Sequence, residues 1–180
     1  MPLIRVAGGA DPAQPAESAH EIHLDLASVQ GESASSAHLN EIEISSFSWG
    51  VSNSPVNTAS GAIKGGKVSM TEVTVTKPFD KASVQLLKAS ATGQIFKTAK
   101  ITWSKSTGGK KPEDFITITL IGVLVSSVQQ TSERGGEGMG TETVTLSFDS
   151  VTVDYKVQGK DGLLTSAGSM FYDLAKGKAT

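Results

Sequence analysis

The run from Phe115 to Gln130, answered by a second from Thr141 to Val157, constrains the fold of this chain more than any other feature. In Phe115-Ile116-Thr117-Ile118-Thr119-Leu120 the aliphatic residues fall on even positions; past Gly122 they move to odd ones, at Val123 and Val125. The second run makes the same change, from Val144, Leu146 and Phe148 to Val151, Val153, Tyr155 and Val157. Side chains on a strand alternate faces with a period of two, so a change of parity demands a bulge, a bend or burial on both faces. A straight strand of this length would reach roughly 50 Å at about 3.3 Å per residue, well beyond common strand lengths. A strand that curls around a corner and serves two packed sheets resolves both difficulties. Ile42 and Ile44 followed by Phe47 and Trp49, and Val68 and Met70 followed by Val73 and Val75, switch in the same way. The expected fold is therefore mainly β, two packed antiparallel sheets forming a β-barrel.

The remaining segments fit around that frame. Residues 1–20 are rich in Ala, Pro and Gly and without periodicity, which reads as an N-terminal arm. The barrel domain is expected over residues 21–175, with a tail at 176–180. Ile22, Leu24 and Leu26 alternate with polar residues as a first half-buried strand. One short helix is expected after Asp80, which is placed as its cap; Phe79 and Val84 are spaced for a hydrophobic staple. Val84, Leu87 and Ala91 would form its buried stripe, and Gly93 its left-handed end. The stretch from Gly50 to Gly66, rich in Ser, Asn and Gly, is longer than a tight hairpin needs. Loops of that length are usually disordered or used for contact. Ser132 to Gly140 reads as a second mobile, Gly-rich connection.

Reactive constellations are missing from this pattern. The chain holds no Cys, so neither disulfides nor thiolate chemistry are available. A net charge of −2 does not advertise a nucleic-acid or anionic-membrane surface. No apolar stretch approaches a membrane span, and Leu3 to Ala7, interrupted by Arg5, is too short for a signal-peptide core. Gly61-Ala62-Ile63-Lys64-Gly65-Gly66-Lys67 matches most of a phosphate-binding loop. Val68 stands where Ser or Thr should hold magnesium, and a strand pattern follows where a helix should begin. Gly136, Gly138 and Gly140 fail as a dinucleotide fingerprint for the same reason. His20, His23 and His38 read as surface residues, since His20 and His23 lie on opposite strand faces. Glu41 and Glu43 could imitate a glycosidase pair, but a polar strand face accounts for them. Trp49 and Trp103 are candidates for sugar stacking, with core or interface packing the simpler reading. No enzyme, no cofactor and no metal site are expected.

An ordered set of segments resembles the haemolysin-coregulated protein (Hcp) family, the tube subunits of bacterial type VI secretion systems. Ile22-His23-Leu24-Asp25-Leu26 with Val29-Gln30-Gly31-Glu32-Ser33 is similar to the family's opening strand and loop. Glu41-Ile42-Glu43-Ile44 running into Phe47-Ser48-Trp49-Gly50-Val51-Ser52 is the most specific piece. Thr76-Lys77-Pro78-Phe79-Asp80-Lys81-Ala82-Ser83 resembles the entry to the family's single helix. Gly122 to Val128, Glu142 to Phe148, Val153-Asp154-Tyr155 and Phe171-Tyr172-Asp173-Leu174 complete the series in the expected order. The arm ahead of Ala19 is longer than the family's usual one, and no toxin-sized extension follows the domain.

The resemblance implies a barrel with a helix at its side that assembles into a hexameric ring. Rings stack into a tube inside a contractile sheath, and the tube is expelled with small effector proteins in its lumen. The implied partners are copies of the chain itself, sheath and spike proteins, and effectors, with no nucleic acid and no stable membrane insertion. The implied location is cytoplasmic before firing and secreted afterwards, without a signal peptide. Within the Gly50–Gly66 stretch, Val51, Ser52, Asn53, Ser54, Val56, Ile63 and Lys64 are the candidates for reaching the next subunit or ring. Two alternatives remain on the sequence: a phage-type tail-tube subunit, and a carbohydrate-binding β-sandwich using Trp49 or Trp103.

Overall fold

The computed structural model describes residues 20–105, 111–134 and 140–180. The expected N-terminal arm, apart from His20, lies outside these residues, as does the centre of the Ser132–Gly140 connection. The elements follow in chain order: β1 His20–Leu26, β2 Ile42–Glu43, β3 Ser46–Ser48, β4 Val51–Asn53, β5 Val56–Asn57, β6 Ile63–Lys64, β7 Val68–Met70, β8 Val73–Pro78. Helix α1 Ser83–Thr92 comes next, then β9 Ile95–Lys105, β10 Glu113–Thr131, β11 Thr141–Ser147, β12 Ser150–Gln158, β13 Leu164–Asp173 and β14 Lys178–Ala179. Every strand pairing among the described residues is antiparallel. Ten strands share one hydrogen-bonded network, and two small ribbons, β4–β7 and β5–β6, stand apart from it.

The spine of that network is β10, and the parity change in its sequence has a visible cause. Residues 116–121 pair with β12, whereas residues 124–131 pair with β11. The switch falls at Gly122, whose φ of 66° lies in the left-handed region. Asp149, between β11 and β12, donates its N–H to Ile121 O at 2.9 Å and fills the space a side chain would need. Any Cβ at position 122 would sit 1.9 Å from Asp149 Oδ2, so both the conformation and the contact require glycine. Ile118 and Leu120 ahead of the bend and Val123 and Val125 beyond it therefore all reach one core, despite opposite parity. The other edge of β10 pairs with β9 from Glu113 to Leu124, with a bulge between Asp114 and Ile116.

Beyond β9 the ladder continues through β1 to β2, and beyond β11 through β8 to β3. The stretch holding β2 and β3 changes partner midway. Ile44 donates its N–H to Ile22 O at 2.9 Å, and Ser45 donates to Thr76 O at 2.7 Å. That change of partner is the physical cause of the parity switch between Ile42–Ile44 and Phe47–Trp49. Leu24, Leu26, Ile42, Val73, Val75, Ile101 and Leu146 fill the interior, and α1 lies against β10 with Leu86 and Ala89 buried.

Two expectations are corrected here. The helix buries Ser83, Leu86 and Ala89, whereas Val84 is 74% exposed and Leu87 is also exposed. The predicted stripe and the Phe79–Val84 staple thus sat on the wrong face. Asp80 does cap the turn Lys81–Ser83, its Oδ1 accepting the Ala82 N–H at 2.9 Å, although the regular helix begins only at Ser83, with no side-chain cap at Ala82. Gly93 does end the helix in the left-handed conformation, with φ 65°. The second correction concerns Gly50–Gly66, which is no irregular loop. It forms most of a two-stranded projection in which Val51 faces Met70, Asn53 faces Val68, and Val56 faces Lys64.

Candidate assembly surface

Thr71 N–H donates to Gly50 O at 2.9 Å, and from there the projection leaves the main network. Between its two ribbons the chain is locked by backbone and side chain together: Ser54 N–H donates to Lys67 O, and Gly66 N–H to Asn53 Oδ1 at 2.8 Å. A side chain at Gly66 would overlap Ser54 O, so the crossing of the two strands depends on glycine there. The tip is a compact turn in which Thr58 N–H donates to Ala62 O and Thr58 Oγ1 accepts from Ala62 N. The structure places Val51, Ser52 and Asn53 on β4, Ser54 in the connector, Val56 on β5, and Ile63 and Lys64 on β6. All seven are exposed. The apolar members stand out: Val51 is 55% exposed, Val56 56% and Ile63 76%. Val51 faces Met70, while Val56 faces Lys64 and Ile63 faces Asn57, so three apolar side chains stand exposed along one thin projection.

Beside the root of this projection lies an apolar groove of about 350 Å³, lined by Trp49, Val51, Val153, Tyr155, Gly168, Ser169 and Met170. It joins β12 and β13 to the start of β4. Phe171, Val157 and Leu163 are exposed nearby on the same pair of strands or their connection. The unpaired length of β13 adds to the surface, since β14 covers only Tyr172 and Asp173 by register. Trp103, the other candidate platform, packs edge-on against Phe47 with ring centroids 4.8 Å apart. Polar surface is scarce in the groove, whose walls are mostly apolar, and the Trp49 indole nitrogen is itself buried.

Two polar clusters escaped the sequence reading. Lys77 and Glu142 are both fully buried and face one another across β8 and β11, with Lys77 Nζ 2.8 Å from Glu142 Oε2. Lys77 also reaches Asp80 Oδ1 at 2.7 Å and donates to Pro78 O. Ser83 Oγ and Gln130 Nε2 donate to the two carboxylate oxygens of Glu142. Burial works against ionisation of Glu142, but the hydrogen bonds from Lys77, Ser83 and Gln130 outweigh it and hold the carboxyl below its ordinary value. This cluster ties the helix entry to the sheet. Its signal was present in the sequence: Lys77 shares the parity of Val73 and Val75, and Glu142 that of Val144 and Leu146, all inward-facing.

The second cluster corrects the reading of the histidines. His23 and His38 are 2% and 4% exposed and stack with ring centroids 4.5 Å apart. His23 does point away from the Leu24–Leu26 side of β1, but the 27–41 crossover folds over that outer face and buries it. His20 remains exposed. Glu41 accepts a hydrogen bond from His38, and Glu43 is exposed on β2. Among the described residues no group of His, Cys, Asp and Glu is arranged to hold a metal ion, and no helix is long and apolar enough to cross a membrane. Lys64 and Gly61 of the phosphate-loop look-alike lie at the ribbon tip, followed by strand rather than helix.

The family model described as "Type VI secretion system effector, Hcp" matches residues 23–155. Protein hcp1 of Pseudomonas aeruginosa is 39% identical over 142 residues, which cover 79% of this chain and 86% of that protein. The fold is similar to a solved type six secretion system protein, with a TM-score of 0.83 and 30% identity over 90% of this chain and all of that one (100%). It is also similar to Hcp1 from Salmonella typhimurium, with a TM-score of 0.71 and 28% identity over 90% and 99% of the two chains. With its bent β10 spine, flanking helix α1 and matching sequence, the chain belongs to the Hcp family of type VI secretion system tube proteins.

Proposed function

We propose that this chain closes into a barrel, assembles head-to-tail into a hexameric ring, and stacks as rings into a tube expelled by a contractile machine. Barrel closure is supported by the β2–β3 stretch, which bonds β1 at one end and β8 at the other. Self-assembly is supported above all by the projecting ribbon with its exposed Val51, Val56 and Ile63. On this reading Val51, Ser52, Asn53, Ser54, Val56, Ile63 and Lys64 contact the next subunit or ring. The apolar groove at the root of the ribbon belongs to the same contact region. A heterologous contact closes into a ring when its rotation permits, so one such surface and its complement suffice. Residues 1–20 act as an arm and 21–175 as the barrel domain, with sheath, spike and small effector proteins as partners. The protein resides in the cytoplasm until the machine fires and then leaves through it. The role is structural rather than enzymatic.

The carbohydrate-binding alternative is disfavoured by the groove itself, because sugars need hydrogen-bond partners for their hydroxyls and these walls offer few. A phage-type tail-tube role shares the ring logic, and the family membership favours secretion over it.

Negative-stain microscopy and native mass spectrometry of the purified chain at tens of micromolar test the reading. Closed rings of six subunits are expected. Replacing residues 54–67 by an Asn-Gly turn keeps β4 paired to β7 and should abolish rings or their stacking while leaving the far-UV spectrum unchanged. A strictly monomeric native chain would overturn the assembly, and unaltered rings and stacks in the shortened variant would overturn the role of the ribbon.

A further inference from the structure

The crossover at residues 27–41 is held down by an unusual pair. His38 Nδ1 lies 3.0 Å from Glu41 Oε2 and its Nε2 lies 2.8 Å from Asp114 Oδ1. Carboxylates only accept, so both contacts are hydrogen bonds at once only while the ring carries a proton on each nitrogen. The bond to Asp114 ties the crossover to the first residues of β10, beside the bulge at Asp114–Ile116. His23, stacked on that ring, is bonded differently. Ser33 Oγ accepts the Ser35 N–H at 3.2 Å and lies 3.0 Å from His23 Nε2, where the hydroxyl can either donate to the ring or accept from it. A neutral ring suits this arrangement, and Nδ1 of His23 has no partner among the described residues.

The charged groups facing His23 are Glu21 on its own strand, His38 and Glu41 in the crossover, and Asp114 on β10. From β9 it meets Thr102 in register, and β2 brings exposed Glu43 opposite. Two of the carboxylates, Glu41 and Asp114, each give one oxygen to His38, so the charge they offer a second imidazolium is shared. A proton added to His23 would set two positive rings face to face in a buried site.

We propose that the stacked His23–His38 pair is an acid-sensitive latch that clamps the 27–41 crossover to β1 and β10 while His23 is neutral and releases it once both rings are charged. Burial, then the His38 charge, holds His23 below its ordinary value of 6.5, with Glu21, Glu41 and Asp114 pulling the other way. The direction follows from linkage: above about pH 6.5 the clamp is intact, and its contribution is lost as the pH falls towards the lower, folded-state value. The amides that report release are those of Gly31, Ser33 and Asn40, which are bonded within the crossover or to its end at Asn40 O, Glu41 O and Ser33 O.

Hydrogen exchange on the full chain, corrected for intrinsic pH dependence, tests this in whatever oligomeric state the chain adopts. Between about pH 7.5 and 5.5, protection of these amides should fall, by at most roughly tenfold for one imidazole with an ordinary value of 6.5, while the β10 and β11 amides keep theirs. In His23→Gln, which stays neutral, the loss should vanish. The imidazole NMR signals of the unmodified protein give a measurement that does not depend on a variant folding: protonation of His23 should coincide with loss of crossover protection. Crossover amides equally protected at both pH values, a pH effect that survives in His23→Gln, or His23 protonation without loosening would each overturn the latch.

Discussion

The Lys77–Glu142 pair shows how much a single buried charge can govern at the scale of one residue. Neither side chain touches solvent, and each depends on the other with Asp80, Ser83 and Gln130 completing the set. Removing one partner of a buried pair typically costs about 3–5 kcal/mol, because the remaining charge is stranded. Glu142→Leu should destabilise the fold by about 3 kcal/mol in urea unfolding, towards the lower end because Asp80 still faces Lys77. The double variant Lys77→Met with Glu142→Leu should recover most of the loss; equal costs for single and double variants would refute the coupling. The pH dependence has a definite sign. With its folded-state value below the ordinary 4.5, Glu142 stabilises the fold above that pH, and the contribution disappears as acid titrates the native carboxylate. Parity alone put Lys77 and Glu142 on the inner face, yet nothing in the pattern said that the two charges would meet. Meeting depends on the β8–β11 register, which a single strand's sequence does not encode.

At the scale of the element, the bend in β10 tests the reading from periodicity. Gly122→Ala should lower stability by about 2 kcal/mol or more, since it combines a left-handed backbone with a clash against Asp149. Thermal unfolding measures this, and pairing it with Asp149→Ala separates the steric part from the conformational part. The parity argument located this bend because burial on both sides leaves a direct mark in the alternation of Ile118, Leu120, Val123 and Val125. The helix was less legible. Val84 and Leu87 are apolar but exposed, while Ser83 is buried because its hydroxyl serves Glu142. A hydrophobic stripe drawn by residue type could not anticipate a polar anchor. The part of the ribbon from Gly50 to Gly66 was read as a loop because Ser, Asn and Gly mask strands of two or three residues. His23 was misplaced for a related reason: the crossover that covers it has no periodicity of its own.

Across the whole molecule, the family and a mainly β, antiparallel fold with a short helix were legible, since ordered strand segments with switching parity carry both. The Gly50–Gly66 stretch was legible as a distinct segment, but the apolar groove at its root was not, because Trp49, Tyr155 and Met170 come together from three distant parts of the chain. One strand, β10, is bonded to β9 along one edge and to β12 and then β11 along the other. Tension applied along that strand loads many amide–carbonyl pairs in parallel, so they cannot peel away one after another. Single-molecule pulling from the ends of β10 should therefore give rupture forces well above those from pulling apart β13 and β14, which share only a two-residue register. A protein built this way is mechanically stiff through its middle and yields first at its margin.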